Sequence, residues 1–222
     1  VLYGCCGAID GKLIKTRRPN YWEAANIRTY YSGHYAHYGL NCQAVCDAYL
    51  RFIYFGIVAP GSTNDNIAVR RTGTLMETVD DFDIGDFFVG DAVYTLSEHI
   101  LIPFTGSQRD VPENDAFNFY LSQLRIRIEM AFGLLVNKWR ILKAPLYNSI
   151  KMNSKVIMGC AILHNFVINH DGVQVDDDQK IGLIDVDNLS NIDGIHIERQ
   201  NFAPAGMGYN ASMREREFVE VN

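Results

Sequence analysis

The chain has 222 residues, of which 48% are hydrophobic and 21% are charged, enough for one large globular domain with a sizeable core. No stretch approaches the roughly 18 consecutive apolar residues of a membrane-spanning helix, so the sequence predicts no membrane span. The net charge of -6 comes from residues 172–222, because residues 1–171 carry 16 basic and 16 acidic residues. A neutral body argues against binding nucleic acid by bulk charge, although local basic patches can still line a groove.

The N-terminal third has the composition of strands. The segments VLYGCCGAID and KLIKTRR predict strands around a glycine-flanked turn. The segment NCQAVCDAYLRFIYFGIVAPG predicts two further apolar runs, broken near Asp47. We therefore expect the chain to begin with three antiparallel strands. The five cysteines lack paired CxxC spacing, which predicts free thiols rather than disulfides or a structural zinc site.

The next segments alternate between helix and strand. The turn PGSTNDN offers Ser62, Thr63 or Asn64 as the cap of a helix DNIAVRRTGTLMETV. The run DFFVGDAVYTL predicts a short buried strand that ends at Gly90 and Asp91, and HILIPF predicts another.

Two helices complete the predicted domain, which we place at residues 1–171. Between Ala116 and Leu142, apolar residues recur at steps of three and four, typical of one buried helix stripe. Glu129 lies at the margin of this stripe, and Arg125 lies one turn earlier on the same side. A second helix covers NSKVIMGCAILHNFVINH. Residues 172–222 are polar and acidic, and we expect a weakly ordered tail there.

Three carboxylates stand out in this arrangement. Asp10 ends the first apolar run, Asp91 ends a later one, and Glu129 lies on the long helix. If the two strands are neighbours, the two aspartates lie side by side, and a helix packed across the sheet can bring Glu129 over them. Three carboxylates this close would repel one another unless a cation were bound, and Mg²⁺ prefers such oxygen ligands. By spacing alone, a turn-forming or capping role for each aspartate remains open.

Six short blocks, in order, resemble one family of enzymes. They are GAIDG, CDAYLRF, APGSTNDN, VGDAVY, IRIEMAFGLLVNKWRIL and CAILHNF. Together they resemble the Harbinger-type (PIF/Harbinger) transposases and the nucleases derived from them, in the superfamily of endonucleases named for an Asp-Asp-Glu triad.

The resemblance implies a fold, a chemistry and a set of residues. The fold is RNase H-like, an α/β arrangement in which helices flank a mixed sheet of five strands. The chemistry is cleavage of DNA with divalent ions, two Mg²⁺ or Mn²⁺, bound by Asp10, Asp91 and Glu129 as the catalytic triad. A nuclear location is also implied. The family carries a helical DNA-binding segment ahead of this domain, so we expect upstream residues or a separate DNA-binding partner.

Basic and polar residues outside the triad have predicted roles as well. Lys12, Lys15, Arg17, Arg18 and Arg125 are the predicted DNA contacts. The first four lie in an aromatic-rich segment that extends to Tyr38, although a purely structural role is open. We expect Asp65 to cap a helix rather than bind metal.

A hydrogen-bonded core position is expected for His164, rather than a catalytic one. The predicted function is a DNA nuclease, and the alternative is a non-cleaving DNA-binding or chromatin-partner module on the same fold.

Overall fold

The computed structural model describes residues 2–173, so the predicted acidic tail lies outside the described residues. The strands are β1 (Cys5–Lys15), β2 (Tyr31–Ser32), β3 (His37–Cys46), β4 (Phe52–Pro60), β5 (Phe87–Val89) and β6 (Ile100–Leu101). The α-helices are α1 (Asp65–Arg70), α2 (Gly73–Asp80), α3 (Pro112–Lys138) and α4 (Ile150–Asp171). Short 3₁₀ helices occupy Ile27–Tyr30, Gly106–Asp110 and Arg140–Lys143.

The strands form one mixed sheet with β1 at its centre. The order is β4-β3-β1-β5-β6, and the two-residue β2 also pairs with β3. The pairs β1–β3 and β3–β4 are antiparallel, whereas β1–β5 and β5–β6 are parallel. Three antiparallel strands followed by two parallel ones, with flanking helices, confirm the predicted RNase H-like α/β fold. The sheet has six strands rather than five because of the short β2.

The predicted turn at GAIDG is wrong, because β1 continues through it. Asp10 pairs with Ala44 and Gly11 pairs with Gln43, so the glycine is an interior strand residue. The absence of a side chain at Gly11 lets another part of the chain pack closely against β1, and it does not change the direction of the strand.

The predicted helix over DNIAVRRTGTLMETV is divided into α1 and α2. The hydroxyl of the buried Thr72 donates back to the carbonyl of Val69, at the point where α1 ends. Gly73 then begins α2, and glycine has low helix propensity.

Helices cover both faces of the sheet. On one face, α3 and α4 pack through Leu121, Ile128, Phe132 and Ile157 against β1 and β3 residues such as Ala8. On the other face, α1 and α2 contribute Val69, Leu75 and Val79, which pack with Ile9 and Phe88. All five cysteines are free, as predicted. Among the described residues, no helix has the length and apolar character to cross a membrane.

Candidate active site

Asp10 and Asp91 are brought together by the parallel pairing of β1 and β5. Ala8 pairs with Val89, so Asp10 and Asp91 each follow a paired residue by two positions. Side chains alternate along a strand, so Asp10 shares the face of Ala8, which packs toward α3. Asp91 lies just past the end of β5, where its Oδ1 accepts a hydrogen bond from the backbone N–H of Val93 at 2.9 Å. The strand pairing that the predicted neighbourhood of the two aspartates requires is present.

The Asp10 carboxyl lies in a setting that opposes its ionisation. Burial raises its pKa from 3.8 to about 6, and the negative charges of Asp91 and Asp65 act in the same direction. Opposing contributions are a 2.8 Å hydrogen bond from the backbone N–H of Gly11 to Oδ1, and the positive charge of Arg125. A bound cation would remove this penalty.

Glu129 is linked to the aspartates through Arg125. Its side chain is 47% exposed and forms an ion pair with Arg125 one turn earlier on α3. The same guanidinium lies near enough to Asp10 to lower its pKa. Among the described residues, no three His, Cys, Asp or Glu side chains form a group that could hold a metal ion. The convergence of Asp10, Asp91 and Glu129 therefore stays a prediction. In this structure the Glu129 carboxylate is paired with Arg125.

A buried polar network supports β1 from the opposite face of the sheet. The side-chain amide of the fully buried Gln43 donates hydrogen bonds to Asp65 Oδ1 and Asn41 Oδ1, both at 2.8 Å. Its Oε1 accepts from the Tyr94 hydroxyl at 2.8 Å. The Asn41 amide donates to Asp65 Oδ1 at 2.8 Å and to the carbonyl of Thr63 at 3.0 Å. Each amide is thus held in one orientation, with Asp65 as the shared acceptor.

This network requires a glycine at position 11. A Cβ on Gly11 would lie 2.1 Å from Asp65 Oδ1 and 2.5 Å from the Gln43 amide nitrogen. The Asp65 carboxylate therefore rests against the backbone beside Asp10. The pleat places it on the face opposite the Asp10 side chain. Sequence reasoning missed Asn41, Gln43 and Tyr94, although a Gln and an Asn alternating inside an otherwise apolar strand were a visible signal.

The predicted capping role of Asp65 is wrong. The cap of α1 is Asn64, whose Oδ1 accepts from the backbone N–H of Asn66 at 2.9 Å. Asp65 is the first residue of the helix, and its carboxylate points to the amides of β3 instead.

The predicted DNA contacts differ in the exposure of their side chains and in the contacts that these already make. The ammonium of Lys12 lies 5.5 Å from the centre of the Phe132 ring, and Lys15 is partly buried. Arg17 is held by Glu23 at 2.7 Å and by the carbonyl of Tyr147 at 2.9 Å. Arg18 is exposed. In this segment Arg17 therefore anchors the loop that follows β1, and Arg18 is better placed to meet a ligand.

His164 and Asn165 clamp α4 to the β3–β4 hairpin. The buried His164 has Nε2 2.8 Å from the carbonyl oxygen of Leu50, and burial lowers its pKa. Asn165 accepts from the N–H of Phe52 at 2.8 Å and donates to its carbonyl at 2.7 Å. The prediction of a hydrogen-bonded core histidine is confirmed.

The oxygen donors present suit a hard divalent cation. Asp10 and Asp91 are neighbouring carboxylates, and the partly buried Asp10 carries an ionisation penalty that a cation would relieve. A third oxygen ligand from Glu129 requires the pair with Arg125 to open. Carboxylate oxygens are the ligands that hard divalent cations prefer, so the chemistry of Asp10 and Asp91 suits this class of ion.

Comparison with known proteins supports the same family. The family model described as "DDE superfamily endonuclease" matches residues 9–165. "Protein ALP1-like" of Arabidopsis thaliana is 27% identical over 190 residues, which cover 79% of this chain and 46% of that relative. The proteins named "Putative nuclease HARBI1" of Bos taurus and Homo sapiens are each 25% identical over 173 residues, covering 75% of this chain and 47% of the relative.

The chain spans about half the length of these curated relatives. No solved structure matches it. The resemblance to the Harbinger-type nucleases, first indicated by six motifs, is confirmed by the family model and these relatives. The match includes Asp10, Asp91 and Glu129, and it extends over most of the described fold. The chain belongs to the DDE superfamily endonucleases.

Proposed function

We propose that this chain is the catalytic domain of a divalent-metal-dependent DNA endonuclease, with Asp10, Asp91 and Glu129 as its triad. The observation that carries the proposal is the pairing of β1 with β5, which sets two carboxylates side by side with one of them partly buried. A binding module has no physical need for this arrangement. The family model supports the same chemistry.

The proposed roles follow from the contacts of each carboxylate. Asp10 has Oδ1 fixed by the Gly11 N–H, and Asp91 has Oδ1 fixed by the Val93 N–H, so both groups are already oriented. Glu129 completes the set when Arg125 releases it. Two divalent ions would activate the attacking oxygen and stabilise the leaving one in cleavage of a phosphodiester bond. In a complete transposase the freed 3′-hydroxyl could then act as nucleophile for strand transfer.

The substrate we propose is DNA, recognised on its backbone by exposed basic residues such as Arg18, together with Arg125. Target choice is assigned to a separate DNA-binding segment or partner protein, as the family resemblance implies. The nucleus is the corresponding place of action.

The non-cleaving alternative is favoured by one observation. The third carboxylate of the triad is neutralised by Arg125, as would suit a chain that holds no metal ion. Such a chain would keep the fold and the basic surface, and would bind DNA or a chromatin protein without cutting.

Incubation of the chain with supercoiled plasmid separates the two functions. A nuclease nicks or linearises the plasmid in Mg²⁺ or Mn²⁺ and leaves it intact in EDTA. A chain that retards the plasmid in a gel but leaves it uncut in both metals, at every concentration tried, would overturn the nuclease proposal and favour the binding module.

A further inference from the structure

A cleft of about 320 Å³ opens between α3 and the segment that follows β6. This volume is at the lower end of the roughly 300–1,000 Å³ that small-ligand sites occupy. Its walls include the side chains of Phe104, Arg109, Asn118, Leu121, Ser122 and Arg125. With Thr105, the cleft thus has an apolar part, three hydroxyl or amide side chains, and two guanidinium groups.

The cleft is held open by specific contacts across it. The Asn118 side chain accepts from the N–H of Phe104 at 2.8 Å and donates to the carbonyl of the same residue at 3.0 Å. The Phe104 ring also packs edge-on against Phe117, with centroids 5.3 Å apart. The segment after β6 is therefore pinned to α3, and the cleft is a preformed feature of the fold.

The charge of the cleft is of one sign. Arg109 and Arg125 line it, and none of the described lining residues is acidic. Arg109 is exposed, and its side chain makes no hydrogen bond or ion pair with the described residues. A domain body with no net charge thus places two guanidinium groups at one small site, of which Arg125 is paired with Glu129 and Arg109 is not paired with any described residue.

Arg125 places this cleft beside the carboxylates. Its guanidinium pairs with Glu129 and acts on the charge of Asp10, while the same side chain forms a wall of the cleft. A ligand bound here is next to the site at which the proposed cleavage occurs.

We propose that the cleft binds one phosphodiester group of the DNA backbone, next to the bond that is cleaved, through Arg109 and Arg125. This inference rests on the proposed nuclease function. Guanidinium groups bind phosphate oxygens through two parallel hydrogen bonds, and the Asn118 amide, which donates one N–H to Phe104, has a second N–H left at the same wall. The bound phosphate competes with Glu129 for Arg125, so DNA entry frees the third carboxylate for metal.

Fluorescence anisotropy of a labelled DNA duplex in EDTA, over a series of salt concentrations, tests the cleft without requiring cleavage. Loss of one phosphate contact should reduce the slope of log affinity against log salt by about one. We expect Arg109→Ala to do this and to weaken binding about three- to tenfold at low salt. Arg109→Lys should restore most of the slope, because it keeps the charge.

Arg71→Ala is the matched control, since Arg71 is exposed after α1 and does not line the cleft. It should leave the slope nearly unchanged. Equal effects of Arg109→Ala and Arg71→Ala would overturn the cleft assignment while leaving the nuclease proposal standing. A wild-type chain that neither binds nor cuts DNA would overturn both. Thermal unfolding should be unchanged in Arg109→Ala, because the side chain contacts nothing that the fold needs.

Discussion

At the scale of single residues, Asp10 is the position where folding and function conflict. Its carboxyl is partly buried and feels the negative charges of Asp91 and Asp65, and its pKa is raised from 3.8 to about 6. That difference corresponds to about 3 kcal/mol of destabilisation above pH 6 in the absence of metal. A residue retained at such a penalty fits a role in binding a cation.

We predict that Asp10→Asn stabilises the metal-free protein at neutral pH, by about 2–3 kcal/mol. Below about pH 3 the carboxyl is protonated in both states, so the two proteins should be equally stable. Between about pH 3 and 6 the unfolded chain ionises first, so wild-type stability falls as pH rises and the difference grows. Urea unfolding from pH 3 to 7.5 in EDTA measures this, and a variant less stable than wild type at pH 7 would refute it.

Gly11 offers a second test at this scale. The Cβ of Gly11→Ala would lie 2.1 Å from Asp65 Oδ1, so Asp65 and Gln43 must shift. We predict a loss of about 1–3 kcal/mol in the free energy of unfolding. Gly33→Ala is the control, because no atom lies within 4 Å of its added Cβ. Similar stabilities of the two variants would show that the network behind β1 is looser than its hydrogen bonds indicate.

At the scale of elements, long-range pairing decides what the sequence could predict. The neighbourhood of Asp10 and Asp91 was predictable, because each follows an apolar run that forms a neighbouring strand of one sheet. The shared side of Arg125 and Glu129 was also predictable, since residues four apart meet on a helix. The helix inference needs only the helical period of the sequence. The strand inference also assumes that the two apolar runs form neighbouring strands.

The contacts of Asp65 were not predictable in the same way. Asp65 lies 24 residues after Asn41, and its partners are side chains of another strand. Helix-capping statistics therefore favoured a local role, which Asn64 in fact fills. Likewise, a glycine between strand-like runs suggested a turn at GAIDG, whereas pairing with β3 keeps β1 extended.

The ion pair on α3 gives a prediction for this element. In Arg125→Gln, Glu129 loses its partner and is free to serve as a metal ligand, and Asp10 loses a nearby positive charge. Binding of a ligand to the folded state raises its stability. We therefore predict a larger increase in melting temperature on adding Mg²⁺ or Mn²⁺ than in wild type.

Lys138→Gln is the control for Arg125→Gln, because Lys138 is exposed at the far end of the same helix. Differential scanning calorimetry with metal and with EDTA measures the effect. A metal-dependent shift that is unchanged in Arg125→Gln would mean that the ion pair does not restrict the site.

At the scale of the whole molecule, the sheet is organised around β1. One face of this strand carries Asp10 toward α3, and the other face rests on the Asp65 network beneath α1. The buried network holds the backbone of β1 while the exposed edge of α3 carries Glu129 and Arg125. A rigid strand and an adjustable ion pair are thus combined at one site.

The account depends most on the carboxylate of Asp91. Asp91→Asn keeps the size of the side chain and its bond to the Val93 N–H, but removes the charge that would hold metal. The fold and the basic contacts to DNA should survive. Asp83→Asn is the matched control, because Asp83 is an exposed aspartate in the loop before β5.

The most direct measurement is the rate at which wild type, Asp91→Asn and Asp83→Asn nick supercoiled DNA in Mn²⁺, with DNA binding measured in parallel. The account predicts that Asp91→Asn loses cleavage by at least about a hundredfold, with binding within about twofold of wild type, while Asp83→Asn cuts normally. Equal cleavage by all three proteins would contradict the assignment of the site.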